Sequence, residues 1–201
     1  MPRIRAASID EHKALTRRAL LDRARDLIAE AGSAEIPLAE VAIAAGVGRT
    51  TLYDYFTDRD DLIASIVEEE LPEVLAALID SVALSSPSER LADMASATVE
   101  FVATDPVLGI ILHRDVGKLG QEAQNRIRSA HADLADEMGA IYMQGVVSGE
   151  FRRMPPDLAG RLIQDVIMSA ARAVINASAP GDRKDEVVGQ LRAFLIGGLK
   201  V

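Results

Sequence analysis

Apolar residues recur in this chain at the spacing of a helix and almost nowhere at the alternation of a strand. Prolines and glycines cut that pattern into helix-length pieces at Gly32, Pro37, Gly46, Gly48, Pro72, Pro87, Pro106, Gly117, Gly120, Pro155, Pro156, Pro180 and Gly181. The fold class this predicts is all-α, with about nine helices. The first ends at Ala31, with Leu20, Ala24, Leu27, Ile28 and Ala31 on one face. Ser8-Ile-Asp-Glu11 reads as a capping box that starts it near residue 9, and Gly32 suits its stop. Pro37 fits the first turn of a second helix over 37–45, and a third covers 49–55. Asp58 caps a fourth, which Pro72 is expected to break or kink. Helices over 87–104, 106–116, 119–148, 156–178 and 183–199 complete the chain.

Several classes are excluded early. Length, 201 residues, allows one large domain or two small ones. With no cysteine there is no disulfide framework, thiolate nucleophile or thiolate zinc site. No apolar run approaches the ~20 residues of a membrane span, and the opening MPRIRAASIDEHK has no secretory core, so no membrane partner and a cytoplasmic location are expected. An enzyme is not expected: the chain holds no nucleophile elbow, P-loop, dinucleotide fingerprint or HExxH helix. His12, His113 and His131 lie far apart without metal-ligand spacing, so neither metal nor cofactor is expected. Glu68-Glu69-Glu70 reads as a solvated helix face.

The net charge of −9 argues against a nucleic-acid partner until its distribution is considered. Residues 1–31 carry seven basic groups (Arg3, Arg5, Lys13, Arg17, Arg18, Arg23, Arg25) and five acidic ones. A locally basic edge can bind phosphate on an acidic body, because charges beyond ~8–10 Å are screened.

Residues 38–62 read LAEVAIAAGVGRTTLYDYFTDRDDL. A short amphipathic helix, a glycine-centred turn and a second short helix make a helix-turn-helix, whose second helix enters the major groove. Ala42, Val47 and Leu52 are its expected apolar pins, and Gly46 sits where the backbone needs positive φ. The chain has three tyrosines, four phenylalanines and no tryptophan, yet Tyr53, Tyr55 and Phe56 fall within four residues. Tyr53 and Tyr55 cannot both face the core from one short helix. At least one hydroxyl points outward, toward solvent or a phosphate oxygen.

This segment, with ALLDRARDLIAEAG before it, resembles the DNA-binding signature of the tetracycline-repressor (TetR-like) family of bacterial regulators over about residues 13–62. The resemblance implies a dimeric repressor with a three-helix DNA-binding domain (1–57) and a helical ligand-binding and dimerisation domain (58–201). It places Arg49 and Thr50 at base-reading positions, Thr51, Tyr53 and Tyr55 at phosphate-contacting or positioning ones, and Arg59 at the basic start of the fourth helix. The expected partner is double-stranded DNA carrying a palindromic operator. Three residues depart from the pattern: Pro37 stands where a capping Thr is common, Ala39 where a basic base-reader is frequent, and Asp54 within the recognition helix. The arm with Arg3 and Arg5 reads either as a minor-groove contact or as a frayed tail.

The resemblance also implies an inducer cavity within 87–178. Candidate linings are Met94, Phe101, Leu108, Leu112, Met138, Tyr142, Met143 and Met168, with His113, Arg114 and Arg172 as polar anchors, suited to a small, mostly hydrophobic effector. The last two helices carry wide apolar faces (Leu162, Ile163, Val166, Ile167, Ala170, Ala171, Val174, Ile175; then Val187, Val188, Leu191, Leu195, Leu199), which predicts a homodimer through four helices. The expected function is a ligand-responsive transcriptional regulator. The alternative is a dimeric ligand-binding protein with impaired DNA binding.

Overall fold

The computed structural model describes residues 6–82, 86–178 and 180–201, with the side chains of 6–8 and 180 excepted. Arg3 and Arg5 therefore lie outside the described residues. Ten α-helices are described: α1 (Ala6–Ala31), α2 (Leu38–Ala44), α3 (Arg49–Tyr53), α4 (Arg59–Ser81), α5 (Pro87–Thr104), α6 (Pro106–Gly109), α7 (Gln121–Ala130), α8 (Ala132–Ser148), α9 (Pro156–Ile175) and α10 (Pro180–Leu199). There is no named strand among them; one isolated bridge joins Phe151 to Lys200.

The all-α expectation holds, and the differences have identifiable causes. α1 begins at Ala6, so Ser8 sits inside the helix and is not its cap. Pro72 does not break α4. Its missing N–H costs one backbone bond; buried Leu71, Leu75 and Leu78 on either side hold the helix on course. The helix expected over 119–148 is divided at His131. There the imidazole Nδ1 lies 2.7 Å from the Ile127 carbonyl, the acceptor that an uninterrupted helix reserves for the His131 amide. The 106–116 segment is helical but changes gauge: α6 continues as a π-helical turn, Ile110–Asp115, and then a 3₁₀ turn, Val116–Lys118. π-turns widen the helix locally and are frequent at functional sites.

One continuous hydrophobic core runs through the molecule. At the N-terminal end Leu20, Leu21, Ala24 and Ile28 of α1 meet Val41, Ala42, Leu52, Phe56, Leu62 and Ile63. Each fully buried Leu or Ile contributes about 1.5–3 kcal/mol. Beyond it, α5 is the central helix, with α8, α9 and α10 packed around it, while α4 contacts both α1 and α7.

The Glu68-Glu69-Glu70 run is exposed at Glu68 and Glu69, as a solvated face is, but every carboxylate in it is ion-paired. Glu68 accepts from Arg126 of α7, Glu69 pairs with Arg17 and Glu70 with Arg25, both of α1. Arg25 also grips Asp105, at 2.9 and 3.1 Å, between α5 and α6. Three consecutive carboxylates thus clamp α4 to its neighbours on two sides. The same pairs, with Arg18–Asp22 and Arg23–Asp26, neutralise most of the basic edge expected along the first helix.

Candidate nucleic-acid interface and effector cavity

The turn between α2 and α3 is closed by backbone chemistry. Gly46 adopts φ +68°, its N–H donates to the Ile43 carbonyl at 3.0 Å, and the Val47 N–H donates to the Ala42 carbonyl at 3.0 Å. This 5→2 and 6→1 pair is a Schellman closure, which needs a left-handed residue at Gly46. Val47 and Ala42 pack together with the core beneath it, and wholly buried Leu52 anchors the next helix. The three expected pins therefore hold α3 against the body by one side only.

Its other side is open. Arg49 and Thr50 are exposed, Thr51 is half-buried, and Tyr53 is 44% exposed. The Arg49 guanidinium lies over the Tyr53 ring, 5.6 Å from its centroid, with Nη2 3.4 Å from the hydroxyl. Tyr55 is half-buried and rests on the core, its ring tilted 40° to that of Phe56. α3 ends at Tyr53, so Asp54 is its C-cap and not a mid-helix residue. Pro37 is the N-cap of α2 and offers no side-chain cap; Ala39 is exposed.

Arg59 opens α4, where Asp58 accepts from the Asp61 N–H at 2.8 Å. Its guanidinium donates to Asp60 Oδ1 at 2.9 and 3.1 Å, and Asp60 Oδ2 accepts from the Gly120 N–H at 2.7 Å. Asp60 thus joins the start of α4 to the start of α7.

The second half holds a cavity of about 540 Å³ between α7, α8, α9 and the π-turn. Leu112, His113, Met138, Tyr142, Met143 and Met168 line it, as expected. Met94 and Leu108 do not: both are wholly buried core residues. Phe101 is half-buried against the core, and neither it nor Arg114 reaches the cavity. Arg172 is exposed on α9 and acts from behind, donating through Nε to the His113 carbonyl at 3.0 Å. Sequence reasoning missed His131, Thr98, Gln124, Arg128, Ile163 and Ile167 in the wall. A helical-wheel reading of 119–148 as one helix hides His131, whose ring reaches the cavity where that helix breaks.

His113 is forced toward the neutral form by burial, by the neighbouring His131 and by the Arg172 charge, which together bring its pKa down to about 4. Burial also lowers that of His131, although its bond to Ile127 works the other way.

Two residues past His113, the same turn carries a buried carboxylate. Asp115 is 1% exposed and lies against the α1–α2 loop, taking the Ala34 N–H at 2.8 Å and the Ser33 hydroxyl at 3.1 Å on Oδ2. Lys118 Nζ sits 3.0 Å from Oδ1 and 3.0 Å from Glu35. Burial pushes the Asp115 carboxyl up. The Ala34, Lys118 and Ser33 bonds and the Arg114 charge outweigh it and leave the group below its ordinary value. One short turn therefore faces the cavity through His113 and the DNA-binding helices through Asp115.

The geometry defines a helix-turn-helix DNA-binding regulator with an internal ligand cavity. Residues 20–66 match the family described as bacterial regulatory proteins, tetR family, and residues 84–172 match the tetracyclin repressor-like C-terminal domain. The HTH-type transcriptional regulator AcrR of Shigella flexneri is 30% identical over 162 residues, 67% of this chain and 75% of that protein. The fatty acid metabolism regulator protein of Bacillus subtilis is 23% identical over 177 residues, 88% and 90% of the two chains. The crystal structure of the regulator FadR from Bacillus subtilis in complex with stearoyl-CoA superposes with a TM-score of 0.72 at 21% identity, covering 88% of this chain and 97% of that one. The chain belongs to the tetR family of bacterial regulatory proteins, ligand-responsive transcriptional regulators.

Proposed function

We propose that this protein is a homodimeric repressor that grips an inverted-repeat operator and lets go when a small, mostly apolar effector fills the cavity of residues 98–168. What carries the reading is the presence, in one chain, of an outward-facing α3 edge and a mostly apolar chamber joined by the Asp115 turn. Arg49 and Thr50 read bases, Thr51, Tyr53 and Tyr55 position the helix on phosphates, and Arg59 exchanges Asp60 for a backbone phosphate. Arg49 leaves the Tyr53 ring to do so; a bidentate guanine contact is worth about 1–3 kcal/mol. The functional division falls at 57/58, with α4 shared by both units.

The dimer uses α9 and α10. Their inner stripes (Ile163, Ile167, Ala171, Val174; Leu191, Leu195, Leu199) are buried within the chain, while Leu158, Leu162 and Phe194 remain outside, Phe194 at 64% exposure. Two copies of this outer stripe cover each other and set two α3 helices one DNA turn apart, ~34–36 Å. No single helix among the described residues is long and apolar enough to cross a membrane, and a DNA partner places the protein in the cytoplasm.

The effector releases DNA only if it prefers the arrangement that does not fit the operator. The shift passes from the π-turn through Asp115 to the α1–α2 loop, and from α7 through Arg126 and Asp60 to α4. Fluorescence anisotropy on the DNA upstream of the protein's own gene, repeated across salt, tests the reading. Specific binding weakens steeply as salt rises. Arg49→Ala relaxes sequence preference, whereas Arg59→Ala weakens all sequences alike and flattens the salt slope. Equal affinity of the unaltered protein for operator and scrambled DNA refutes the repressor reading and leaves the ligand-binding alternative.

A further inference from the structure

Gln124, Gln164 and Arg128 bring N–H donors to the cavity wall, but its two histidines present acceptors, and these constrain the effector. His131 Nδ1 lies 2.7 Å from the Ile127 carbonyl. A carbonyl only accepts, so this nitrogen carries the proton and Nε2 is left bare. His113 Nδ1 lies 3.1 Å from Met168 Sδ, a weak acceptor with no hydrogen to give, and the tautomer that makes this contact a hydrogen bond leaves Nε2 bare. Both rings are neutral, as burial requires. Thr98 spends its hydroxyl proton on the Met94 carbonyl at 2.9 Å and keeps only lone pairs. The Tyr142 hydroxyl is saturated: it donates to the Arg152 carbonyl at 3.1 Å and accepts from the Met154 N–H at 3.0 Å. Arg128 is the lining's cation, but it is exposed at the mouth with Nη1 on Asn125. An anion drawn deep into this chamber loses its water without meeting a buried countercharge. Two imidazoles without a carboxylate beside them in the lining do not make a closed metal site either.

Resting on the effector reading above, we propose that the ligand is an uncharged apolar molecule bearing a hydroxyl donor, a phenol or an alcohol, whose O–H is received by the bare Nε2 of His131. An acyl thioester brings only acceptors to this atom, and a carboxylate brings acceptors and a charge. Reversing the His131 tautomer to suit them breaks its bond to Ile127.

The test is calorimetric titration of the full-length protein with three probes of matched shape: 4-butylphenol, 4-butylanisole and 4-butylbenzoate. The phenol binds about tenfold more tightly than the anisole, and the benzoate binds more weakly than both. In His131→Phe the phenol advantage shrinks toward parity while the anisole still binds, which shows that the chamber survives. His131→Gln, which restores an acceptor, recovers part of the preference. If the unaltered protein binds the anisole as tightly as the phenol, or prefers the benzoate, the donor assignment is wrong and the apolar-effector reading stands. If none of the three binds, both fall.

Discussion

Replacing Asp115 with alanine tests how strongly the effector turn is fastened to the DNA-binding helices. The carboxylate is almost fully buried and serves the Ala34 N–H at 2.8 Å, the Ser33 hydroxyl at 3.1 Å and Lys118 at 3.0 Å. Lys118 is half-exposed, so it regains water when the carboxylate goes. Ala34 is buried, and its N–H has no such recourse. A hydrogen bond to a charged acceptor is worth about 1.5–3 kcal/mol, most of it here the cost of orphaning that N–H. Asp115→Ala therefore destabilises by about 3 kcal/mol. Asp115→Asn keeps an acceptor for Ala34, gives up the charge and the oxygen facing half-exposed Lys118, and costs about 1 kcal/mol. With a urea slope of about 2–3 kcal/mol/M, the alanine midpoint falls by roughly 1 M and the asparagine midpoint by less than half that. An alanine midpoint equal to that of the parent refutes the latch. So does an asparagine cost as large as the alanine one. The pH dependence supplies an independent check. A carboxyl held below its ordinary value contributes stability that is full above 3.8 and is lost as pH falls through the lower folded-state value, so the gap between parent and Asp115→Asn closes only in that acid range.

Other contacts in the fold give further outcomes. His113, neutral in the fold with a pKa near 4 against 6.5 ordinarily, withdraws stability as pH drops from 6.5 toward 4, by on the order of 3 kcal/mol in full; His113→Gln flattens that slope in a series of melts. Gly145→Ala places a methyl 2.1 Å from the buried Phe151 ring, which stacks on Tyr142, and lowers Tm by about 4–8 °C for a cost of about 2 kcal/mol. Gly139→Ala, six residues earlier on the same helix and in open space, leaves Tm unchanged or higher. Leu162→Glu combined with Phe194→Glu puts charge on the outer stripe of α9 and α10; light scattering then reports a monomer whose helical circular dichroism is retained.

Local features of the chain already specify its helices and their punctuation. Gly46 with the apolar pins Ala42, Val47 and Leu52 is legible in eleven consecutive residues, because a helix-turn-helix is built from contacts close in sequence. The same is true of the outward edge at Arg49 and Thr50, since a five-residue helix with one buried pin can turn only its remaining faces to solvent. Part of the cavity wall was legible as well, through methionines and His113 on apolar faces. What remained hidden depends on residues distant in sequence. Met94 and Phe101 have the right chemistry, but α5 is the central helix: Met94 is wholly buried, Phe101 packs against the core, and Thr98 between them is the α5 residue in the chamber wall. His131 enters the wall because its own side chain takes a backbone acceptor and breaks the helix there. Charge is where pattern reading misled most. The three glutamates of α4 and the arginines of α1 look like separate solvated surfaces, and only the packing of those helices makes them partners. Periodicity reports which side of a helix avoids water; which helix lies against that side, and therefore which charges and histidines meet, is decided by tertiary packing alone.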